Sequence, residues 1–348
     1  MKTAPLCAIV VSAVLGAIAT LAIAVMVHGR DFNPAPTLRS PSTHRTPARI
    51  DVVYTWVDSA DADWRAQRDS MTKRRIRAQL HTQAHRWPTL DGNLSELVIS
   101  VKALRAFMPW VHTVWVVTQR PQRIQDPTLR FVHHDELLDA ANLPTFNSNA
   151  IETGLHNIPG LAEHFVYMND DMFVGEPLAP HDVFADGKPI MRLDNPIHNA
   201  FKQYRLFNNN KGGGPSIPRM RKIMHHNVYG TNHQIHPLTR TLMRDTQAAY
   251  PDAWEQTQAS AFRDTRNIAP VTMSYNYGLR HGAVHILKHD RLSAMQAYVR
   301  NFPTLRARKP SLFCVHDITT VDQLRTLDAF VDELIRERAP RSSVRSTN

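Results

Sequence analysis

Asn169-Asp170-Asp171 follows the apolar, strand-like run Phe165-Val-Tyr-Met168. Paired acids are not tolerated inside a buried strand, so they should sit where the strand leaves its sheet. In an α/β protein that edge is where ligands bind. Two adjacent carboxylates there suit a hard divalent cation, Mg²⁺ or Mn²⁺, with phosphate as its other ligand. A helix N-cap or a solvated turn is the alternative use for the same residues.

An edge of that kind needs strands and helices to build it. Ile50 to Val57 is rich in β-branched and aromatic residues and reads as a buried first strand. Further strands are expected at 113–118, 129–133 and 165–168. Leu94, Leu97, Val101, Leu104 and Phe107 recur at helical spacing. Asn149-Ala-Ile-Glu152 has the form of a capping box, so a helix should begin there. Alternating strands and helices predict an α/β, Rossmann-like parallel core over 50–195. The portion from 219 to 338 should be mostly helical, with helices at 219–228, 236–250, 271–278, 291–301 and 321–338. Residues 339–348 read as a disordered tail. Gly212-Gly213-Gly214 follows no strand and reads as an ordinary loop rather than a phosphate cradle.

The 348 residues carry a formal net charge of +10. A basic balance fits an anionic partner such as a nucleotide or phosphosugar. No zinc-finger spacing or RNA-binding motif is present in the sequence, which argues against nucleic acid. Of the two cysteines, Cys7 lies inside the N-terminal apolar run, so the folded region has one thiol, Cys314, and no internal disulfide is expected. Pro5 to Val27 is apolar and long enough to span a bilayer, so residues 1–28 read as an uncleaved membrane anchor in preference to a signal peptide. The prolines of 29–49 make that stretch a linker.

Several segments, in order, resemble the Stealth family of sugar-1-phosphate transferases. They are Ile50-Asp-Val-Val-Tyr-Thr-Trp-Val-Asp58-Ser-Ala-Asp61, the stretch Asp91 to Gly175, His233-Gln-Ile-His236-Pro with Arg240, and Phe262-Arg263 with Ile268-Ala-Pro270. Phe313-Cys-Val-His-Asp317 is similar to a looser tail element. Val98, Asn267 and His316 depart from the pattern, which would place an Arg, an acid and an Asn at these positions.

The resemblance implies a nucleotide-sugar-transferase-like fold and attack by an acceptor hydroxyl on the β-phosphorus of a nucleotide-diphosphosugar, such as a UDP-N-acetylhexosamine. Sugar-1-phosphate then joins a glycan or glycoprotein, and nucleoside monophosphate leaves. Such chemistry needs charge neutralisation, proton removal and in-line placement. Asp170 and Asp171 would hold Mg²⁺ or Mn²⁺. His236 would take the hydroxyl proton, with His233 and Asp171 as rivals; among 19 histidines an isolated one is more often structural. Arg263 would bind phosphate. Asn147 and Ser148 are donor-binding candidates, with helix capping equally suited to them. Asp58 could contact the donor's nucleoside or cap its strand. Arg219 is a weaker donor contact. The resemblance also leaves open a metal-dependent glycosyltransferase releasing nucleoside diphosphate, or an inactive glycan-binding relative. A homodimer is a candidate assembly. The anchor implies a Golgi or bacterial inner-membrane location.

Overall fold

The computed structural model describes residues 45–340, apart from 59–60, 76–93, 121–123, 194–216, 227, 232–233, 289–291, 293, 299–300 and 317. In chain order the described elements begin with β1 (Ile50–Thr55), α1 (Ala62–Arg75), α2 (Glu96–Phe107), β2 (Val114–Thr118) and β3 (Leu129–His133). The short helices α3 (His134–Leu137) and α4 (Ser148–Glu152) precede β4 (His164–Asn169), β5 (Met172–Val174), β6 (Phe184–Ala185) and β7 (Lys188–Leu193). Next come α5 (Ile217–Met224), β8 (His236–Thr239), α6 (Arg240–Ala249), α7 (Pro251–Gln258) and α8 (Pro270–Arg280). The chain continues through β9 (His285–Lys288), β10 (Met295–Tyr298), α9 (Phe302–Arg308), β11 (Leu312–His316) and α10 (Val321–Arg338).

The central sheet has the order β3-β2-β1-β4-β8. Its first four strands are parallel, and β8 runs antiparallel on the edge beside β4. Parallel strands need cover on both faces, which explains why β1 is almost wholly apolar and buried. Successive residues alternate between two cores. Val52, Tyr54, Val166 and Met168 pack with Leu97 and Phe107 of α2 and Phe330 of α10. Val53, Phe165 and Tyr167 pack with Met243 of α6, Trp254 of α7 and Tyr275 of α8. Each such fully buried large side chain contributes about 1.5–3 kcal/mol. The connections reverse direction between β1 and β4, which makes that boundary the sheet's topological switch point, the place where α/β sheets bind ligands.

The α/β expectation therefore holds, with a mostly parallel central sheet. Individual elements differ from the sequence reading. The helix expected over 236–250 begins as strand β8 and becomes helical only at Arg240. Pro237 is tolerated because β8 is an edge strand and loses no ladder bond on its open side. The helix expected over 291–301 contains β10, which pairs with β11 in a small second sheet completed by β5. The capping box expected at Asn149 is displaced. Asn147 caps α4, and Glu152 turns inward instead of reaching back to the helix start.

Among the described residues no helix is long and apolar enough to cross a membrane. That finding corrects the expected transmembrane helix, and with it the Golgi or inner-membrane location. The apolar run 5–27 on which the expectation rested lies outside the described residues, as do Gly212–Gly214 and the tail from 341. The homodimer likewise finds no support among the described residues.

Candidate functional site

β1 and β4 are in register, Thr55 against Asn169, so both strands end at the same edge of the sheet. The chain leaves β1 through Asp58 and Asp61. Asp58 is 2% exposed; its N–H donates to Gln119 Oε1 at 3.3 Å, and Gln119 Nε2 donates back to the Asp58 carbonyl at 3.0 Å. Asp61 caps α1, accepting from Trp64 N–H at 2.9 Å.

On the neighbouring strand, Asp170 and Asp171 form the turn between β4 and β5. The turn is anchored from behind. Tyr54 and Ser100 share a buried hydroxyl hydrogen bond of 2.9 Å, and Ser100 donates to the Met172 carbonyl. The Val315 N–H of β11 donates to the Asp171 carbonyl at 3.1 Å. Burial, reinforced by the adjoining Asp171 carboxylate, holds the Asp170 carboxyl well above the usual carboxylate range. Two acids crowded in this way favour a bound cation, which would relieve the repulsion between them.

β11 brings a third and a fourth group to the same place. Cys314 Sγ lies 3.3 Å from Asp171 Oδ2, and His316 Nδ1 lies 3.5 Å from the same oxygen. Ligand atoms of Asp171, Cys314 and His316 all fall within 4.8 Å of one another. Sequence reasoning did not join these residues, because the β5–β11 pairing that does so links positions 143 apart in the chain.

On the other face of the sheet Tyr167 is a hub. Its hydroxyl lies 3.1 Å from Thr55 Oγ1 and donates to Glu152 Oε1 at 3.3 Å. Its ring stacks on that of His236, its partner across the β4–β8 ladder, with centroids 6.1 Å apart. Three residues of strand, about 10 Å, separate this level of the sheet from Asp170. Arg263 Nη2 donates to Ser148 Oγ at 2.6 Å. Burial raises the Glu152 carboxyl to about 7, although the Arg263 charge and the Tyr167 hydroxyl pull it down. Thus His236 lies against β4 through Tyr167, and Arg263 and Ser148 lie beside Glu152, on the face of the sheet opposite Cys314. Tyr167 and Glu152 were not singled out in the sequence as site residues, since an apolar strand disguises a tyrosine as core.

The remaining candidates are placed differently. Asn147 is fully buried, and its Nδ2 donates to the Ser260 carbonyl at 2.9 Å, the Phe262 carbonyl at 3.3 Å and Asn267 Oδ1 at 3.0 Å. Its Oδ1 accepts from Asn149 N–H at 3.1 Å. It therefore ties α4 to the loop that carries Arg263. Arg219 on α5 donates to Gln256 on α7. Arg240 donates to the carbonyls of His156 and Leu161. His233, the rival base, lies outside the described residues. A cleft of about 330 Å³ opens beside the β2 end, lined among others by Trp64, Gln119, Arg120, His134 and Thr145. None of its lining residues was a site candidate from sequence.

Comparison with known proteins matches three stretches of the chain to one family. Residues 48–74 match Stealth protein conserved region 1, residues 91–191 match conserved region 2, and residues 232–279 match conserved region 3. The third match contains both His236 and Arg263. The exopolysaccharide phosphotransferase SCO6021 of Streptomyces coelicolor is 33% identical over 64% of this chain and 42% of its own length. The capsular polysaccharide phosphotransferase LcbA of Neisseria meningitidis is 39% identical over 41% of this chain and 40% of its own. Exopolysaccharide phosphotransferase SCO2594, also of S. coelicolor, is 29% identical over 86% of this chain and 52% of its own. The chain spans about two fifths to one half of the length of these relatives. Among solved structures, the galactosyltransferase LgtC bound to donor and acceptor sugar analogs overlaps 84% of this chain and 98% of its own, at 11% identity and a TM-score of 0.39. A likeness that low carries no weight for function.

Proposed function

The chain belongs to the Stealth family, and from that premise we propose that it transfers sugar-1-phosphate from a nucleotide-diphosphosugar to a hydroxyl of an acceptor glycan. The acceptor oxygen forms a new bond to the β-phosphorus, the bond from that phosphorus to the bridging oxygen breaks, and nucleoside monophosphate leaves. The observation that supports the reading is the pair of crowded acids at the exit of β4. Asp170 and Asp171 occupy the turn that follows β4, and within that strand Tyr167 stacks on His236 and donates to Glu152.

The residues fit the parts such a transfer needs. The crowded carboxylates of Asp170 and Asp171 suit Mg²⁺ or Mn²⁺. A divalent cation held there would supply positive charge to the diphosphate. Arg263 offers a planar, permanently charged donor set for phosphoryl oxygens, and Ser148 steadies one of its nitrogens. His236 is only half-buried, and its ring is held between Tyr167, on which it stacks, and Tyr275, which meets it at a tilt, which suits a base facing an incoming hydroxyl. The 330 Å³ cleft next to Asp58 and Gln119 has the size of a nucleoside, with Trp64 as an aromatic wall. Asn147 serves the donor indirectly, by holding the loop of Arg263.

A panel of nucleotide-diphosphosugars with Mg²⁺ or Mn²⁺ and a polysaccharide acceptor tests the reading. Release of nucleoside monophosphate together with a phosphodiester signal in ³¹P NMR is the expected result. Release of nucleoside diphosphate instead would make the protein a glycosyltransferase.

A further inference from the structure

We infer that His316 is a nitrogen ligand of the cation held at Asp171, and that this site therefore favours a transition ion such as Mn²⁺ over Mg²⁺. The inference rests on the reading above only for the presence of a cation at Asp171. It adds a ligand that the aspartate pair does not suggest, and a metal preference that follows from it.

Three observations support it. First, the distances are those of groups that share a centre. Two ligand atoms each about 2.1 Å from one ion lie no more than about 4.2 Å apart, and His316 Nδ1 is 3.5 Å from Asp171 Oδ2. Second, the arrangement is built into the fold. The parallel pairing of β10 with β11 and the antiparallel pairing of β11 with β5 fix the strand that presents His316, while the Val315 N–H fixes the Asp171 backbone. The His316 side chain is 11% exposed, so its ring is confined without being sealed off. Third, Cys314 completes the surroundings. Its Sγ is 3.3 Å from Asp171 Oδ2 and 3.6 and 3.7 Å from the two His316 ring nitrogens. The thiol donates to the carboxylate and so orients Asp171, with the imidazole beside it at the same oxygen.

Ligand chemistry then sets the preference. Magnesium takes oxygen donors and keeps several waters, whereas first-row transition ions accept imidazole nitrogen more readily, Mn²⁺ the least of them. A site of carboxylate plus imidazole should discriminate among metals in a way that two carboxylates alone would not.

The test uses the full chain with Mn²⁺ alone, without donor or acceptor, and is therefore independent of which bond the enzyme breaks. Pulsed EPR of the Mn²⁺-bound protein should show an imidazole ¹⁴N coupling, and His316→Asn should abolish it. Mn²⁺ affinity should fall about tenfold in His316→Asn while Mg²⁺ affinity changes less than about twofold. Cys314→Ser keeps a donor to Asp171 and should retain the coupling. Bound Mn²⁺ with no ¹⁴N coupling in the unsubstituted protein would overturn the assignment, whatever the variants do. So would a coupling that survives in His316→Asn, or a failure of the unsubstituted protein to bind Mn²⁺ at all. Release of nucleoside diphosphate in the donor assay, with the ¹⁴N coupling intact, would sink the transfer reaction and leave the ligand standing.

Discussion

Replacing Glu152 with Gln removes one ionisation from the cluster formed by Tyr167, Arg263 and Ser148. Burial raises the Glu152 carboxyl from 4.5 to about 7. Its folded value lies above its unfolded value, so its contribution to stability is complete below about pH 4.5 and is lost as pH climbs through about 7. A rise of that size corresponds to at most about 3–4 kcal/mol. Gln cannot ionise and keeps an oxygen to accept from the Tyr167 hydroxyl. Relative to the unsubstituted protein, Glu152→Gln should therefore gain about 1–3 kcal/mol between about pH 5 and about pH 8. Urea denaturation at both pH values measures this directly. Buried His134 and His156, each lowered to about 4, oppose the trend, since their contribution is lost as pH falls below their unfolded value of 6.5. They act equally in both proteins and cancel in the difference. A difference that does not change with pH would refute the reasoning, because it would mean that Arg263 keeps Glu152 ionised at no cost to the fold.

Other substitutions probe the same edge of the sheet. Asp171→Ala should lower nucleotide release about a thousandfold or more while leaving the melting temperature within a few degrees; unchanged turnover would remove the metal-site reading. Arg263→Lys keeps the charge but loses the planar fork, and kcat should fall about a hundredfold with a smaller change in KM. A loss confined to KM would make Arg263 a ground-state contact. Asn147→Ala deletes a helix cap and leaves one buried and two partly buried acceptors short of a donor, so urea denaturation should show a loss of about 2–3 kcal/mol. A loss below about 0.5 kcal/mol would show that the loop of Arg263 stands without it.

The sequence was most legible where periodicity was strong and local. α10 runs from Val321 to Arg338 as read, because its apolar spacing is regular and Thr320 with Gln323 closes a capping box at its start. β3 at Leu129–His133 was equally plain. Legibility failed where a long-range partner decides the conformation. His236-Pro-Leu-Thr is a strand because β4 pairs with it, and Met295–Tyr298 is a strand because β11 does. The site divides along the same line. Two acids at the end of an apolar run announce a strand edge in the residues themselves. Cys314 and His316 join Asp171 only through a pairing between distant strands, and Tyr167 looks like core until its hydroxyl is followed to Glu152. The 330 Å³ cleft left no trace in any single segment, because α1, the β2 end and the loop at 143–145 each supply part of its wall.

A nucleotide-diphosphosugar carrying a radiolabel at its β-phosphorus follows the bond that breaks. Transfer of the label into the glycan, with unlabelled nucleoside monophosphate left behind, is the outcome this account predicts. Label that stays with the released nucleotide, while sugar alone enters the glycan, would contradict it.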